Sequence, residues 1–225
     1  MNLMKRIIAV AGAVLALAAC APSDAPPTQP ATGSSSSPTP SGTPLTEIPP
    51  AAFLQPDDLG PGDVLTEGMV LEAWLNICQG ALLDSNASVA AQTYVGFRYY
   101  YSGNRRESDG YGYEVITSYR PGGAEGYLAE VRDLVAGPCA RAENEESIVE
   151  QTIVAEGFGG DDSVRIRRLD TWKPNGKVGI SYVSVSRFGD VVVFLSIAVP
   201  WDGSDHAPYF DRIEAAAVGR AVALS

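Results

Sequence analysis

The sequence predicts an α+β domain in which an antiparallel β-sheet packs against two main helices. Three observations carry this expectation. Apolar residues alternate with period two in successive runs, as in Val183-Ser184-Val185-Ser186. Helical periodicity is confined to a few stretches, and short turns such as Pro174-Asn175-Gly176 and Phe188-Gly189-Asp190 join consecutive strands. Strands joined by short turns pair antiparallel, and helices laid on such a sheet complete its core.

The elements follow in order. Ala51–Leu59 reads as a short helical start turned by Pro56-Asp57-Asp58-Leu59-Gly60, and Val70–Gln79 as a short helix or an irregular segment carrying Trp74, Ile77 and Cys78. Thr93–Tyr101 is rich in aromatic residues suited to a pleated surface, and Tyr111–Tyr119 is its expected antiparallel partner. Gly122-Gly123 opens a helix through Ala136 with Tyr127, Leu128, Val131, Leu134 and Val135 on one stripe, and Pro138 stops it before Cys139. Ile148–Ala155, Ser163–Leu169, Val178–Ser186 and Val191–Val199 are expected strands, the last two forming a hairpin. Pro208–Leu224 is the closing helix, with Phe210, Ile213, Ala217 and Val218 toward the sheet.

The N-terminus has the three parts of an export signal: basic Lys5 and Arg6, an apolar run from Ile7 to Leu17, and the small residues Ala18 and Ala19. That run has 11 residues, too short for a hydrocarbon core that needs about 20, and no later stretch is expected to span a membrane. Leu17-Ala18-Ala19-Cys20 is similar to the bacterial lipobox, in which the cysteine is lipidated and becomes the first residue after cleavage. The expected organisation is therefore a signal peptide over 1–20, a tether over 21–50 and one folded domain over 51–225. The tether is almost entirely Pro, Ala, Thr, Ser and Gly, which bury too little apolar surface to offset the entropy of ordering. A coil of that length holds the domain roughly 30 Å from the anchor. The protein is thus expected at the cell membrane, lipid-anchored through Cys20, on the extracytoplasmic side and as a monomer.

The chain has 16 basic and 27 acidic residues; loss of Lys5 and Arg6 with the signal leaves 14 and 27, a net charge of −13. That balance opposes binding to nucleic acid and to anionic lipid headgroups. With Cys20 assigned to the anchor, Cys78 and Cys139 remain in an oxidising compartment, and one disulfide between them is the natural pairing. Two thiols or a metal pair are the alternatives. A zinc site is disfavoured by the single histidine and the lack of a Cys-x-x-Cys motif, so no metal or cofactor is expected.

Several pieces in order resemble a known family. They are Phe53-Leu54-Gln55-Pro56-Asp57-Asp58-Leu59-Gly60, Ile77-Cys78-Gln79-Gly80, Glu114-Val115-Ile116, the helix ending at Gly137-Pro138-Cys139, Gly159-Gly160-Asp161-Asp162-Ser163, and the hairpin Val183 to Val193. Together they resemble the extracellular sensor domain of mycobacterial PknH-type receptor serine/threonine kinases and the actinobacterial lipoproteins that carry this domain without a kinase. The resemblance implies an antiparallel sheet backed by helices around a cleft, and a non-catalytic role in binding an undefined envelope ligand. This chain departs from the pattern: the kinase sensor domain has two disulfides where Cys78 and Cys139 allow one, and no kinase or membrane helix accompanies it.

Constellations suited to chemistry are few. The only histidine, His206, follows Ser204 and Asp205, but neighbours in a loop rarely align for proton transfer, and a polar loop before the last helix is the expected reading. Asp161-Asp162 lacks the alternating acids and distal Glu of a calcium loop, and Gly157-Phe158-Gly159-Gly160 lacks the Lys-Ser/Thr of a phosphate cradle. Glu143, Glu145, Glu146 and Glu150 are expected on a solvated loop and strand edge. The chain is accordingly expected not to be an enzyme. The run Tyr94, Phe97, Tyr99, Tyr100, Tyr101, with Tyr111 and Tyr113 opposite, stands out, because successive strand residues point to opposite faces and one core cannot take them all. Tyr99, Tyr101, Tyr111, Tyr113 and Arg98 are the candidate ligand-binding residues, with Arg105 and Arg106 at their edge. The alternative function is a scaffolding lipoprotein that docks another envelope protein through this tyrosine-rich surface.

Overall fold

Eight strands form one sheet in the order β1-β2-β3-β8-β7-β6-β5-β4, every neighbouring pair antiparallel. The structure is a computed structural model that describes residues 43–66, 83–100, 110–198 and 203–224. The strands are β1 (Val64–Thr66), β2 (Val89–Tyr99), β3 (Gly110–Tyr119), β4 (Arg141–Glu143), β5 (Ser147–Glu156), β6 (Asp162–Trp172), β7 (Lys177–Phe188) and β8 (Val191–Ala198). Two α-helices join them, α1 (Gly123–Ala136) and α2 (Ala207–Ala221).

The path explains the order. After β3, α1 carries the chain across one face of the sheet to its far edge, and β4 to β8 return as a meander until β8 closes against β3. Gly122, at φ 83°, adopts the left-handed conformation that turns β3 into α1. Gly189, at φ 58°, does the same in the β7–β8 hairpin.

The two helices cover opposite faces. On one, Tyr127, Leu128, Val131 and Val135 of α1 pack on Val115, Val164, Ile166, Val185 and Phe194. On the other, Phe210, Ile213 and Ala217 of α2 pack on Phe97, Tyr99, Ile116, Tyr182, Leu195 and Ile197. Strand alternation feeds both layers: Val192 and Phe194 point to α1, Val193 and Leu195 to α2. Each layer removes several large side chains from water, at about 25 cal/mol per Å² of apolar area.

The antiparallel sheet with two main helices is as the sequence predicts, and the details differ in three places. The expected helix over 51–59 is instead two 3-10 turns, Pro50–Ala52 and Pro56–Asp58. A proline opens each, and the Asp58 carboxylate caps the start of the second by accepting from the Gln55 N–H at 2.7 Å. The folded region begins before residue 51, because Ile48 is buried and Leu45 packs on the same core. The short edge strands β1 and β4 have no counterpart among the expected elements; three residues give too little periodicity to see. The expected Val70–Gln79 segment, Cys78 within it, and the regions 1–20 and 21–42 lie outside the described residues. Cys139, directly after α1, is fully buried.

Candidate functional site

The tyrosine-rich surface expected from the sequence divides between the two faces. Tyr99 belongs to the α2 face, where it is fully buried, stacks on Tyr209 with ring centroids 4.6 Å apart, and donates its hydroxyl to the Ala198 carbonyl at 3.2 Å. It is a core residue, which corrects the expectation that it is part of a binding surface. The reason is on β3. Phe97 and Tyr99 lie opposite Gly112 and Gly110, and a Cβ on either glycine would collide with those rings. The bare glycine backbone lets both rings lie flat across the strand under α2.

Arg98, Tyr111 and Tyr113 have the opposite parity and share the α1 face. Arg98 pairs with Tyr111 across the strands, and its guanidinium lies 5.3 Å from the centre of that ring, a cation–π contact. Tyr111 is 41% exposed. Tyr101, Arg105 and Arg106 lie outside the described residues.

On the α1 face the sheet forms a cleft of about 210 Å³. Its floor comes from two adjacent rows of the sheet. One row runs Tyr113, Ser196, Val183 across β3, β8 and β7; the other runs Ser181, Arg168, Gln151 across β7, β6 and β5. Tyr113 stacks on the buried Phe194 with ring centroids 5.8 Å apart and is the half-buried aromatic ring of the floor. Gln151 ties the cleft to the segment after α1: its backbone N–H donates to the Ala140 carbonyl at 2.9 Å and its side-chain amide to the Cys139 carbonyl at 3.4 Å.

The electrostatics are nearly neutral. Arg168 donates through Nε and Nη2 to both oxygens of Asp170, at 2.9 and 3.0 Å, and the pair stands at the rim partly exposed. Burial raises the Tyr113 phenol above its ordinary value, against the opposing pull of its hydrogen bond to Ser196 and of the Arg168 charge. Tyr113 therefore presents a neutral hydroxyl at any physiological pH. A site of paired charges, hydroxyls, an amide and an aromatic floor is suited to holding a polar ligand by hydrogen bonds and stacking.

The other constellations resolve into structure. His206 is 2% exposed, edge-on to Tyr99, so a substrate has no access to it. Asp205 accepts from the Tyr182 hydroxyl at 2.8 Å and from the backbone N–H of Ala207 at 3.0 Å, anchoring the start of α2. Asp162 takes a bidentate pair of bonds from Arg132, and Asp161 accepts from the Gly189 N–H at 2.6 Å to hold two turns together. Glu143 and Glu150 pair with Arg141, and Glu143 also with Lys173. Among the described residues no group of three or more His, Cys, Asp or Glu is placed to hold a metal ion.

Sequence reasoning did not single out Gln151, Arg168, Asp170, Ser181, Phe194 or Ser196. One signal was available. In Gly110-Tyr111-Gly112-Tyr113 the glycines mark one face as the bed for a neighbour's rings, which leaves both tyrosines of β3 on the other.

Residues 4–21 match the family described as the prokaryotic membrane lipoprotein lipid attachment site, and Cys20 lies within that match. No curated protein matches the chain. The fold is similar to the crystal structure of the extracellular domain of PknH from Mycobacterium tuberculosis, at 12% identity and a TM-score of 0.46, over 77% of this chain and 92% of that one. Among the described residues no helix is long and apolar enough to cross a membrane. The chain thus carries a lipoprotein lipid attachment site, which fits a membrane-anchored protein of the cell envelope.

Proposed function

We propose that this protein is a lipoprotein of the PknH-like sensor-domain family, lipidated at Cys20 and facing the extracytoplasmic side. In this reading its domain, reached through the tether over 21–50, binds an extracytoplasmic ligand without chemistry of its own. The observation that carries the binding role is the cleft on the α1 face lined by Tyr113, Ser181, Arg168 and Asp170. Concave sites with an aromatic lining and a few convergent polar groups are where small ligands bind. The same proposal pairs Cys139 with Cys78, which the complete burial of Cys139 and the oxidising compartment support.

The test is a thermal-shift screen of the purified mature protein against envelope fragments and small metabolites. A ligand of the cleft raises the melting temperature of the wild type and fails to do so in Tyr113→Ala. If no compound shifts the wild type, the binding role is wrong. A second reading, docking to another envelope protein, is favoured by the exposed Tyr111 with Arg98 laid over it. Crosslinking in cells to one abundant partner, lost in Tyr111→Ala, would establish that reading instead.

A further inference from the structure

Resting on the cleft as the binding site, we infer that it takes a neutral sugar ring, one residue of a longer saccharide. Three observations lead there. The first is size. At about 210 Å³ the cleft is smaller than the roughly 300–1,000 Å³ of sites that enclose a whole small ligand. It has room for one ring, with the rest of the molecule lying outside.

The second is the chemistry of floor and wall. The half-buried ring of Tyr113, backed by the buried Phe194 on which it stacks, offers an apolar floor. The C–H face of a pyranose packs on such a floor while its hydroxyls project sideways. The half-buried Ser181 hydroxyl and the partly exposed Arg168–Asp170 pair stand at that edge and supply the donors and acceptors that sugar hydroxyls need. A purely apolar ligand would strip water from these groups and return no hydrogen bond, at a cost of about 1–3 kcal/mol for each one buried.

The third is charge. Arg168 and Asp170 neutralise each other through two bonds, so an acidic group near Arg168 also meets the Asp170 carboxylate. A cation meets the same cancellation with the signs reversed. The pair keeps donors and acceptors at the rim while giving no net preference for either charge, and the excess of acid over base in the whole chain further opposes an anion. Tyr111, two residues along β3 on the same face and about 7 Å away, gives the neighbouring sugar a second aromatic surface at the rim.

The experiment is a calorimetric and saturation-transfer NMR titration of the mature protein with four probes: cellobiose, mannobiose, a glucuronate-containing disaccharide and indole. At least one neutral disaccharide should bind at least ten-fold more tightly than the acidic one, and Tyr113→Ala should abolish that binding. Asp170→Asn, which removes the carboxylate that cancels Arg168, should raise affinity for the acidic disaccharide at least ten-fold. It serves as the test if Tyr113→Ala does not fold. Tighter binding of the acidic disaccharide or of indole to the wild type overturns the inference. So does the absence of binding by both neutral disaccharides at tens of millimolar. In either case a ligand found by the thermal-shift screen and lost in Tyr113→Ala would leave the cleft standing as the binding site.

Discussion

The two faces of the sheet are built from the same aromatic stock and reach opposite ends. Under α2, Phe97, Tyr99, Tyr182, Tyr209 and Phe210 are all buried, roofed by the helix on one side and by Phe53 and Leu54 of the N-terminal segment on the other. Across the sheet, α1 covers Val115, Val164, Val185 and Phe194, while Tyr113 lies half-buried in the cleft and Tyr111 is exposed. One position of strand parity separates Arg98 from Tyr99, and with it a surface residue from a core residue. Aromatic content alone does not tell a surface ring from a core ring; strand parity against the covering helix does.

The largest effects should fall on the α2 face. Phe210→Ala and Tyr99→Ala each empty a fully buried site and should lower stability by about 3–5 kcal/mol, measured by denaturant unfolding. Ligand affinity at the cleft should be unchanged in whatever fraction remains folded. If Tyr99→Ala instead left stability intact and abolished binding, the division between the faces would be wrong.

Removing the proposed Cys78–Cys139 bond tests the other face. A bond closing a loop of roughly 60 residues contributes about 4 kcal/mol in the chain-entropy model, so Cys139→Ser should lose about that much. The oxidised protein should also be lighter by two hydrogens than the reduced one. Because the Cys139 carbonyl accepts from Gln151, the variant should weaken binding at the cleft as well as stability.

A third effect, again under α2, depends on pH. Glu114 is fully buried on β3, with one carboxylate oxygen accepting from the Leu54 N–H at 2.7 Å and the other without a partner among the described residues. Burial pushes it from its ordinary 4.5 up to about 8; the Leu54 N–H and Arg220 pull down and Asp58 pushes up. In the unfolded chain this carboxyl releases its proton near 4.5, while in the fold it keeps it to about 8. The folded state binds more protons over that interval, so stability falls as pH rises through it. Between pH 5 and 8 the loss should be about 3 kcal/mol, at 1.36 kcal/mol for each pKa unit. Glu114→Gln mimics the protonated acid and should remove that slope, leaving the variant the more stable at pH 8. A slope unchanged in the variant would place its origin elsewhere.

The smallest effect belongs to the rim. Tyr111→Ala removes an exposed ring and its contact with Arg98, and should change stability by no more than about 0.5 kcal/mol.

The sequence reading reached the sheet and helices but not the cleft, and the reason is physical. The continuous apolar run of Val191–Ala198 and the stripe Tyr127, Leu128, Val131, Val135 are local patterns, so they are legible in a short window. Period two shows that Tyr99 and Arg98 point to opposite faces, yet it does not say which face a later helix covers. That depends on α1 crossing one side and α2 the other, a fact of chain path. The cleft is further from view, because Tyr113, Gln151, Arg168, Ser181 and Ser196 come from five strands and meet only through sheet register. Isolated serines such as Ser181 and Ser196 in strands rich in valine carry no signal until their neighbours across the sheet are known.

The central claim is that the open part of the α1 face, and not the aromatic cluster under α2, holds the ligand. Its most direct test is ¹⁹F NMR of the mature protein carrying 3-fluorotyrosine, with each signal assigned by Tyr→Phe substitution, titrated with the ligand from the thermal-shift screen. Tyr113 should shift most and Tyr111 less, while Tyr99 and Tyr209 stay in place. A shift of Tyr99 or Tyr209 with Tyr113 unmoved would contradict the account.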